Sequence, residues 1–131
     1  MNMHIVIVED EAAIRQELKL LLENALYKVT ALGEFQDTAA AALAAEPDLI
    51  LLDIRLPGES GFDVCTKIRA VSEVPVIFLT SQTDSADELN GMLRGGDDYV
   101  TKPFYPPVLL ARITAVLKRT KRAAGQEKEL D

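Results

Sequence analysis

The sequence has only one cysteine, Cys65, which excludes a disulfide framework. That cysteine lies at helical spacing from Phe62 and Ile68, which predicts a small core residue rather than a reactive thiol. Basic residues are also few: 14 Lys and Arg stand against 21 Asp and Glu, for a formal net charge of −7. That balance argues against nucleic-acid binding by this chain itself. With no leader pattern and no apolar run of membrane-spanning length, we expect a cytoplasmic domain with no membrane association.

The glycine-rich motifs that bind nucleotide phosphates are missing as well. Neither G-x-G-x-x-G nor a Walker A loop ending in Gly-Lys-Ser or Gly-Lys-Thr occurs in the sequence. A nucleotide-binding fold is therefore a weak interpretation.

What the sequence does contain is a regular alternation of short apolar runs with segments of helical period. Five strands are predicted, over His4–Val8, Lys28–Leu32, Asp48–Leu52, Pro75–Leu79 and Tyr99–Val100. Five helices are predicted over about residues 11–25, 37–46, 61–70, 84–93 and 106–118. This alternation favours one α/β domain with a doubly wound parallel sheet, in which ligands bind beyond the carboxyl ends of the strands.

The predicted strands end in polar side chains. Glu9 and Asp10 follow the first strand, Asp53 the third, Thr80 the fourth and Lys102 the fifth. Because the carboxyl ends of parallel strands meet at one edge of a sheet, we expect these side chains to lie close together. Carboxylates beside a hydroxyl and an ammonium group suit a hard divalent cation and phosphoryl oxygens.

A magnesium ion at this edge would take oxygens from Asp10 and Asp53, with Glu9 acting through water. Repulsion among three acids raises their proton affinity, and a divalent ion together with Lys102 reverses that tendency. A carboxylate that stays nucleophilic beside a metal is what formation of an aspartyl phosphate requires.

Each of these residues also has a purely structural interpretation. An acidic pair such as Glu9 and Asp10 often does no more than cap the next helix. Taken alone, Lys102 would be a surface lysine, Thr80 a strand-end hydroxyl and Tyr99 a half-buried sheet residue. Their shared edge of the sheet favours the functional interpretation.

Four ordered motifs resemble those of response-regulator receiver domains: IVIVEDE (Ile5–Glu11), PDLILLDIRLPGESGFD (Pro47–Asp63), PVIFLTS (Pro75–Ser81) and GGDDYVTKPF (Gly95–Phe104). The resemblance covers residues 3–119 and implies a five-stranded, flavodoxin-like parallel sheet of order 2-1-3-4-5 with five helices. It assigns residues 1–119 to the receiver domain and leaves residues 120–131 as a polar C-terminal tail or linker. The last motif, with LLARI (Leu109–Ile113), resembles the subfamily whose receivers are joined to a winged-helix DNA-binding domain.

The resemblance implies that Asp53 is the phosphoacceptor and takes its phosphoryl group from a phosphohistidine on a sensor histidine kinase. It makes Asp10 a direct ligand of Mg²⁺, or of Mn²⁺, with Glu9 as the outer member of the acidic pair. The backbone carbonyl of Arg55 would be a further metal ligand. Phosphorylation would then control transcription through a DNA-binding domain that is not present in this chain.

Three further residues have roles that the resemblance implies in switching. Thr80 would bond one phosphoryl oxygen, Lys102 would neutralise another, and Tyr99 would turn inward when Thr80 moves. The bond between Lys102 and Pro103 resembles a cis peptide of the family that aims the lysine into the site, so we expect it to be cis.

The winged-helix subfamily also implies a homodimer on phosphorylation, formed through the helix predicted over 84–93, the last strand and the last helix. Salt bridges across a two-fold axis would hold it. One of these bridges is lost, because Glu88 stands where the family usually has Lys or Arg and Val108 replaces its acidic partner. We therefore expect a weak, salt-sensitive dimer. The residues expected at this face are Glu88, Asp97, Asp98, Val108, Arg112 and Arg119.

Two other interpretations remain to be weighed against this one. An aspartyl-phosphate phosphohydrolase of the haloacid-dehalogenase kind has a second Asp two residues after the nucleophile, and here that position is Arg55. A stand-alone or degenerate receiver could act only as a protein-binding module, but every expected site residue is present. The predicted function is thus a phosphoacceptor regulator that catalyses only its own phosphorylation and dephosphorylation, rather than a metabolic enzyme.

Overall fold

The fold combines one parallel sheet with helices on both of its faces. The structure is a computed structural model that describes residues 2–81, 91–92 and 94–129, with the backbone alone for residues 121–129. The strands of this described part are β1 (His4–Val8), β2 (Lys28–Leu32), β3 (Leu49–Asp53), β4 (Arg55–Leu56), β5 (Glu59–Ser60), β6 (Val76–Thr80) and β7 (Asp98–Thr101). Its helices are α1 (Ala12–Asn24), α2 (Thr38–Ala44), α3 (Gly61–Arg69) and α4 (Pro106–Glu129).

Five strands form the main sheet, in the order β2-β1-β3-β6-β7, and all neighbouring pairs are parallel. This confirms the predicted sheet and its order. The other two strands, β4 and β5, form a small antiparallel hairpin between β3 and α3. Because the hairpin strands are counted, the fourth and fifth strands of the predicted sheet are β6 and β7 here. The hairpin was not predicted, because strands of two residues show no periodicity.

Alternate residues of the sheet strands point to opposite faces, and helices of the described part of the chain pack against both faces. Ile5 and Ile7 of β1 join the core that α1 and α4 cover, while Val6 and Val8 join the core that α2 and α3 cover. Cys65 lies fully buried in the second core, as predicted, and burial raises the pKa of its thiol. Every residue of β1, β3 and β6 is buried, so the three central strands show the continuous apolar runs from which they were predicted.

The predicted ends of the elements differ from the observed ones in a few places. Strand β3 includes Asp53 rather than Asp48, whose carboxylate instead accepts the N–H of His4 at 2.7 Å. Helix α4 continues to Glu129, beyond the predicted end at Lys118, because its last turns consist mostly of good helix formers although they lack an apolar stripe. The division of the chain after residue 119 stays a prediction.

The fourth predicted helix, over 84–93, lies outside the described residues except for Gly91 and Met92, which are helical. Among the helices that are described, none is both long enough and apolar enough to cross a bilayer.

Arg69, the last residue of α3, ties that helix to two neighbouring segments. Its guanidinium donates to the carbonyl oxygen of Val74 at 2.6 Å, to that of Gly95 at 3.0 Å and to Asp97 Oδ2 at 3.0 Å. The same Asp97 oxygen accepts the N–H of Val76 at 2.8 Å. The end of α3 is therefore fixed both to the start of β6 and to the turn before β7.

We predict that Arg69→Met lowers the free energy of unfolding by about 2–3 kcal/mol, because it removes the counter-charge of a partly buried carboxylate and the side-chain donor of several carbonyls. The matched control is Arg94→Met, since the Arg94–Asp63 pair has the same 3.0 Å separation but more exposed side chains, 38% and 57% against 23% and 35%. Arg94→Met should lower the free energy of unfolding by about 1 kcal/mol or less. Urea denaturation of both variants measures the difference, and equal losses would contradict the role given to Arg69.

Candidate functional site

The candidate site lies at the carboxyl edge of the parallel sheet, where four strands stop at nearly the same level. Thr80 at the end of β6 lies one residue beyond the partner of Asp53, the last residue of β3. Glu9 directly follows β1, and Lys102 follows the β7 residue that pairs with Thr80. The sheet order therefore brings together the polar strand ends that the sequence predicted.

The backbone around Asp53 is fixed by the hairpin and the start of α3. Asp53 is only 3% exposed, and its Oδ1 accepts the N–H of Arg55 at 3.2 Å. Helix α3 begins at Gly61, whose N–H donates to the carbonyl of Ile54 at 2.6 Å. A Cβ at position 61 would lie 2.1 Å from the carbonyl oxygen of Asp53, so only glycine lets the helix begin this close to the strand.

Lys102 pairs with both buried acids of the site. Its Nζ lies 2.9 Å from both carboxylate oxygens of Glu9 and 3.4 Å from Asp53 Oδ2. Its backbone N–H donates to the carbonyl oxygen of Thr80 at 2.6 Å, which anchors the lysine to the end of β6. The Lys102–Pro103 peptide bond is cis, as predicted. The ammonium therefore contacts the two buried acids, and its bidentate partner is Glu9.

The buried carboxylates are only partly compensated by this ammonium. Burial raises the pKa of Glu9 to about 7, with the hydrogen bonds from Lys102 opposing the shift and the nearby charge of Asp53 adding to it. The pKa of Asp53 is likewise raised by burial, against the opposing charge of Lys102. Burial alone would lower the pKa of Lys102, but its bond to Glu9 and the charge of Asp53 raise it above the ordinary value. The site thus holds a firmly charged lysine and an excess of acid.

The donor set fits a divalent cation. Glu9, Asp10 and Asp53 can each offer one carboxylate oxygen such that the three oxygens lie within 4.8 Å of one another. Asp10 is exposed to solvent, whereas the other two acids are buried. Three carboxylates against one lysine leave net negative charge, and oxygen donors of this kind are the ligands that Mg²⁺ and Mn²⁺ take. The contribution of the Arg55 carbonyl stays a prediction.

Thr80 and Tyr99, the two residues predicted to switch, lie on the same face of the sheet. Tyr99 pairs with Phe78, and Thr80 follows Phe78 by two residues, so strand alternation places both side chains on the face that α2 and α3 cover. Thr80 is fully buried and Tyr99 is half-buried. The geometry allows communication between the two positions, and their roles stay predictions.

Five of the six residues predicted for a dimer face line a surface depression with a volume of about 710 Å³: Asp97, Asp98, Val108, Arg112 and Arg119. Within the chain, Arg112 Nη1 donates to both carboxylate oxygens of Asp98, at 3.0 and 3.1 Å. Arg119 Nη2 lies 3.5 Å from the carbonyl oxygen of Asp97, whose carboxylate is held by Arg69. Val108 is exposed at the rim. Glu88 lies outside the described residues.

Sequence reasoning missed two contacts of the site. One is the close approach of Gly61 to Asp53, for which the available signal was a glycine at the start of a good helix, where glycine is normally unfavourable. The other is a hydrogen bond from Arg15 Nη1 of α1 to the carbonyl oxygen of Glu9, at 2.8 Å. An arginine in a helix gives no signal that distinguishes such a contact from a solvated side chain.

Comparisons with known proteins agree with this geometry. Residues 5–114 match the family described as the response regulator receiver domain. The chain is similar to the transcriptional regulatory protein CseB of Streptomyces coelicolor, with 44% identity over 125 residues, which are 95% of this chain and 53% of CseB. It is also similar to the DNA-binding response regulator MtrA of Mycobacterium tuberculosis, with 40% identity over 119 residues, which are 91% of this chain and 52% of MtrA.

Among solved structures, the chain is similar to the BeF3-activated N-terminal receiver domain of Klebsiella pneumoniae RstA. The TM-score is 0.79 and the identity 33%, with 87% of this chain and 97% of that chain covered. The chain spans about half the length of the curated relatives that it matches. On the strength of the family match and of these relatives, the chain belongs to the family of two-component response regulator receiver domains.

Proposed function

We propose that this receiver domain acts in the cytoplasm and accepts a phosphoryl group on Asp53 in a reaction that requires Mg²⁺ or Mn²⁺. The proposed donor is a phosphohistidine on a sensor histidine kinase. The observation that carries the proposal is the setting of the Asp53 carboxylate. It is buried, 3.4 Å from Lys102 Nζ, and within 4.8 Å of carboxylate oxygens of Glu9 and Asp10. Such a carboxylate is positioned to act as a nucleophile beside a metal.

In this proposal a carboxylate oxygen of Asp53 attacks phosphorus, and a P–O bond forms as the P–N bond of the donor breaks. Asp10, Asp53 and the backbone carbonyl of Arg55 would hold the divalent ion, with Glu9 acting through water. When bound, the ion would neutralise charge on the phosphoryl oxygens and offset the repulsion between the acids. The N–H of Arg55 on Oδ1 and the close start of α3 fix the direction of the Asp53 side chain.

Lys102 and Thr80 are proposed to bind the phosphoryl oxygens. Lys102 contacts Glu9 more closely than Asp53, at 2.9 Å against 3.4 Å, so a phosphoryl group on Asp53 would compete with Glu9 for the ammonium. The hydroxyl of Thr80 would bond a second oxygen, and the half-buried Tyr99 on the same sheet face would turn inward as Thr80 moves. Thr80 and Tyr99 would thus form an element with two conformations, and the charge of the phosphoryl group would favour one of them.

We propose further that the output is control of transcription through a DNA-binding domain of the whole protein. Support comes from the similarity to CseB and MtrA, which are named as a transcriptional regulatory protein and a DNA-binding response regulator. The net charge of −7 of this chain is consistent with DNA contact by another domain.

Phosphorylation is proposed to act through a homodimer at the surface lined by Asp97, Asp98, Val108, Arg112 and Arg119. The Arg112–Asp98 pair is exposed and already formed within one chain, so exchanging it for a bridge between two chains gains little energy. The exposed Val108 adds a small apolar contact. The dimer should therefore be weak and sensitive to salt.

Labelling with acetyl phosphate tests the phosphoacceptor. Wild-type protein should be labelled in the presence of Mg²⁺ or Mn²⁺ and not after chelation, and Asp53→Asn should abolish the labelling because the nucleophilic oxygen is lost. Asp63→Asn is the matched control, since that carboxylate lies on α3, is exposed and pairs with Arg94. Labelling of Asp53→Asn at the wild-type rate contradicts the assignment. A wild-type chain that is never labelled, by small donors or by any kinase, favours a protein-binding module instead.

The excess of acid gives a prediction about stability. In metal-free buffer at neutral pH, Asp53→Asn should raise the melting temperature by a few degrees, because burial disfavours the charged carboxylate. Mg²⁺ at about ten times its dissociation constant should stabilise the wild type by about 1.4 kcal/mol, and should have little effect on the variant. Thermal unfolding with and without Mg²⁺ measures both changes. A destabilised Asp53→Asn protein would show that the site carries no electrostatic strain.

Sedimentation tests the dimer. The chain should be a monomer without phosphorylation and a weak dimer with Mg²⁺ and beryllofluoride, and higher salt should weaken that dimer. Arg112→Glu should abolish it, whereas Arg94→Glu, whose partners lie on α3, should not. A monomer at high micromolar concentration, or a dimer that Arg112→Glu leaves intact, would exclude this face.

A further inference from the structure

The side chain of Arg15 connects α1 to the peptide that joins Glu9 and Asp10. Arg15 is the fourth residue of α1, and helical side chains lean toward the N-terminus of their helix, so its guanidinium reaches back to the end of β1. There Nη1 donates to the carbonyl oxygen of Glu9 at 2.8 Å. The hydrogen bond is made to a neutral carbonyl rather than to a carboxylate. It therefore fixes the plane of the peptide between the two acids.

Gly33 provides the space that this guanidinium occupies. Strands β1 and β2 pair through Val8 and Leu32, so Gly33 lies beside Glu9 at the carboxyl edge of the sheet. A Cβ at position 33 would lie 3.1 Å from Cζ of Arg15, 3.2 Å from Nη2 and 3.4 Å from Nη1. The φ angle of Gly33 is not in the left-handed region, so the backbone does not require glycine there. What glycine provides is room for Arg15.

The two acids of the pair differ in how their side chains are held. The carboxylate of Glu9 is buried and bonded by Lys102, whereas Asp10 is exposed and forms no hydrogen bond or ion pair with the described residues. The direction of the Asp10 side chain is therefore set by its backbone. The peptide that precedes Asp10 is the one whose carbonyl oxygen accepts the hydrogen bond from Arg15.

We infer that Arg15 is a positioning residue that orients Asp10 toward the divalent cation. Position 33 is a glycine, in this inference, because a larger residue would leave no room for the Arg15 guanidinium. This inference rests on the proposed metal-dependent function. Outer partners that orient metal ligands are commonly worth a factor of roughly 10–100 in metal affinity.

The sign of the effect separates positioning from simple charge. Arg15 carries a positive charge and bonds the carbonyl oxygen of Glu9. If it acted on the metal site through that charge alone, its removal would strengthen the binding of a cation. If it positions Asp10, its removal weakens binding although the net charge of the site becomes more favourable. A role in stability alone would lower the melting temperature and leave the affinity unchanged.

The experiment measures Mn²⁺ binding to the whole chain by the electron paramagnetic resonance signal of the free ion, with no phosphodonor present. Arg15→Met should raise the dissociation constant by roughly tenfold, at the low end of the range for such partners because Asp10 is exposed. Lys19→Met, one turn further along α1, is the matched control and removes the same charge. Its affinity should be unchanged or slightly tighter. Unfolding of each metal-free variant gives the separate measure of stability.

Gly33→Ala keeps Arg15 but displaces its guanidinium, so it should weaken Mn²⁺ binding in the same direction by a smaller factor. In the Arg15→Met background, Gly33→Ala should have no further effect on Mn²⁺ binding, because no guanidinium is left for the added methyl group to displace. Equal or tighter binding by Arg15→Met overturns the positioning role, and additive effects of the two substitutions overturn the role of Gly33. If wild-type protein binds Mn²⁺ and Arg15→Met binds it equally well, the inference alone fails. A wild-type chain that binds no Mn²⁺ refutes the proposed metal site itself.

Discussion

The burial of Glu9 and Asp53 beside a single lysine is the constraint on which the rest of the site depends. Two acids that are nearly inaccessible to solvent are held by one ammonium at 2.9 and 3.4 Å. Their excess negative charge is relieved either by uptake of a proton, which the raised pKa values favour, or by a bound cation. The sheet order supplies the geometry, because β1 and β3 are neighbours and the cis peptide after Lys102 lies at the end of β7. Bringing these charges together has a cost in stability, and in the proposed function this arrangement is what makes the site respond to cations and phosphoryl groups.

Helix α3 connects this charged edge to the opposite part of the sheet. Its first residue, Gly61, touches the backbone of Asp53, and its last, Arg69, holds Asp97 and the start of β6. Nine residues of helix span about 13 Å, so a single rigid element contacts both the candidate phosphorylation site and the surface proposed for dimerisation. Tyr99 and Thr80 offer a second connection within the sheet. The two connections meet at β7, where Asp98 is bonded to Arg112.

The sequence predicted most of the fold because the central strands are buried along their whole length and the helices repeat at a clear period. Sheet order and the grouping of Glu9, Asp10, Asp53 and Lys102 followed from the resemblance and from the position of polar residues at strand ends. The hairpin after Asp53 and the full length of α4 could not be predicted, since neither depends on an apolar pattern. The same holds for Arg15, whose partner is a backbone carbonyl: contacts that side chains make with the backbone depend on three-dimensional proximity, which residue type does not encode.

The position of Cys65 has a practical consequence. The only thiol of the chain belongs to α3 and is fully buried in the core between that helix and the sheet. Its Sγ lies 3.4 Å from the carbonyl oxygen of Arg94, and its raised pKa keeps it protonated at neutral pH. Alkylating reagents act on exposed thiolates, so the folded protein should be inert toward maleimides. A cysteine introduced at a chosen surface position could therefore carry a fluorophore or spin label selectively, and the natural chain needs no prior removal of its own cysteine.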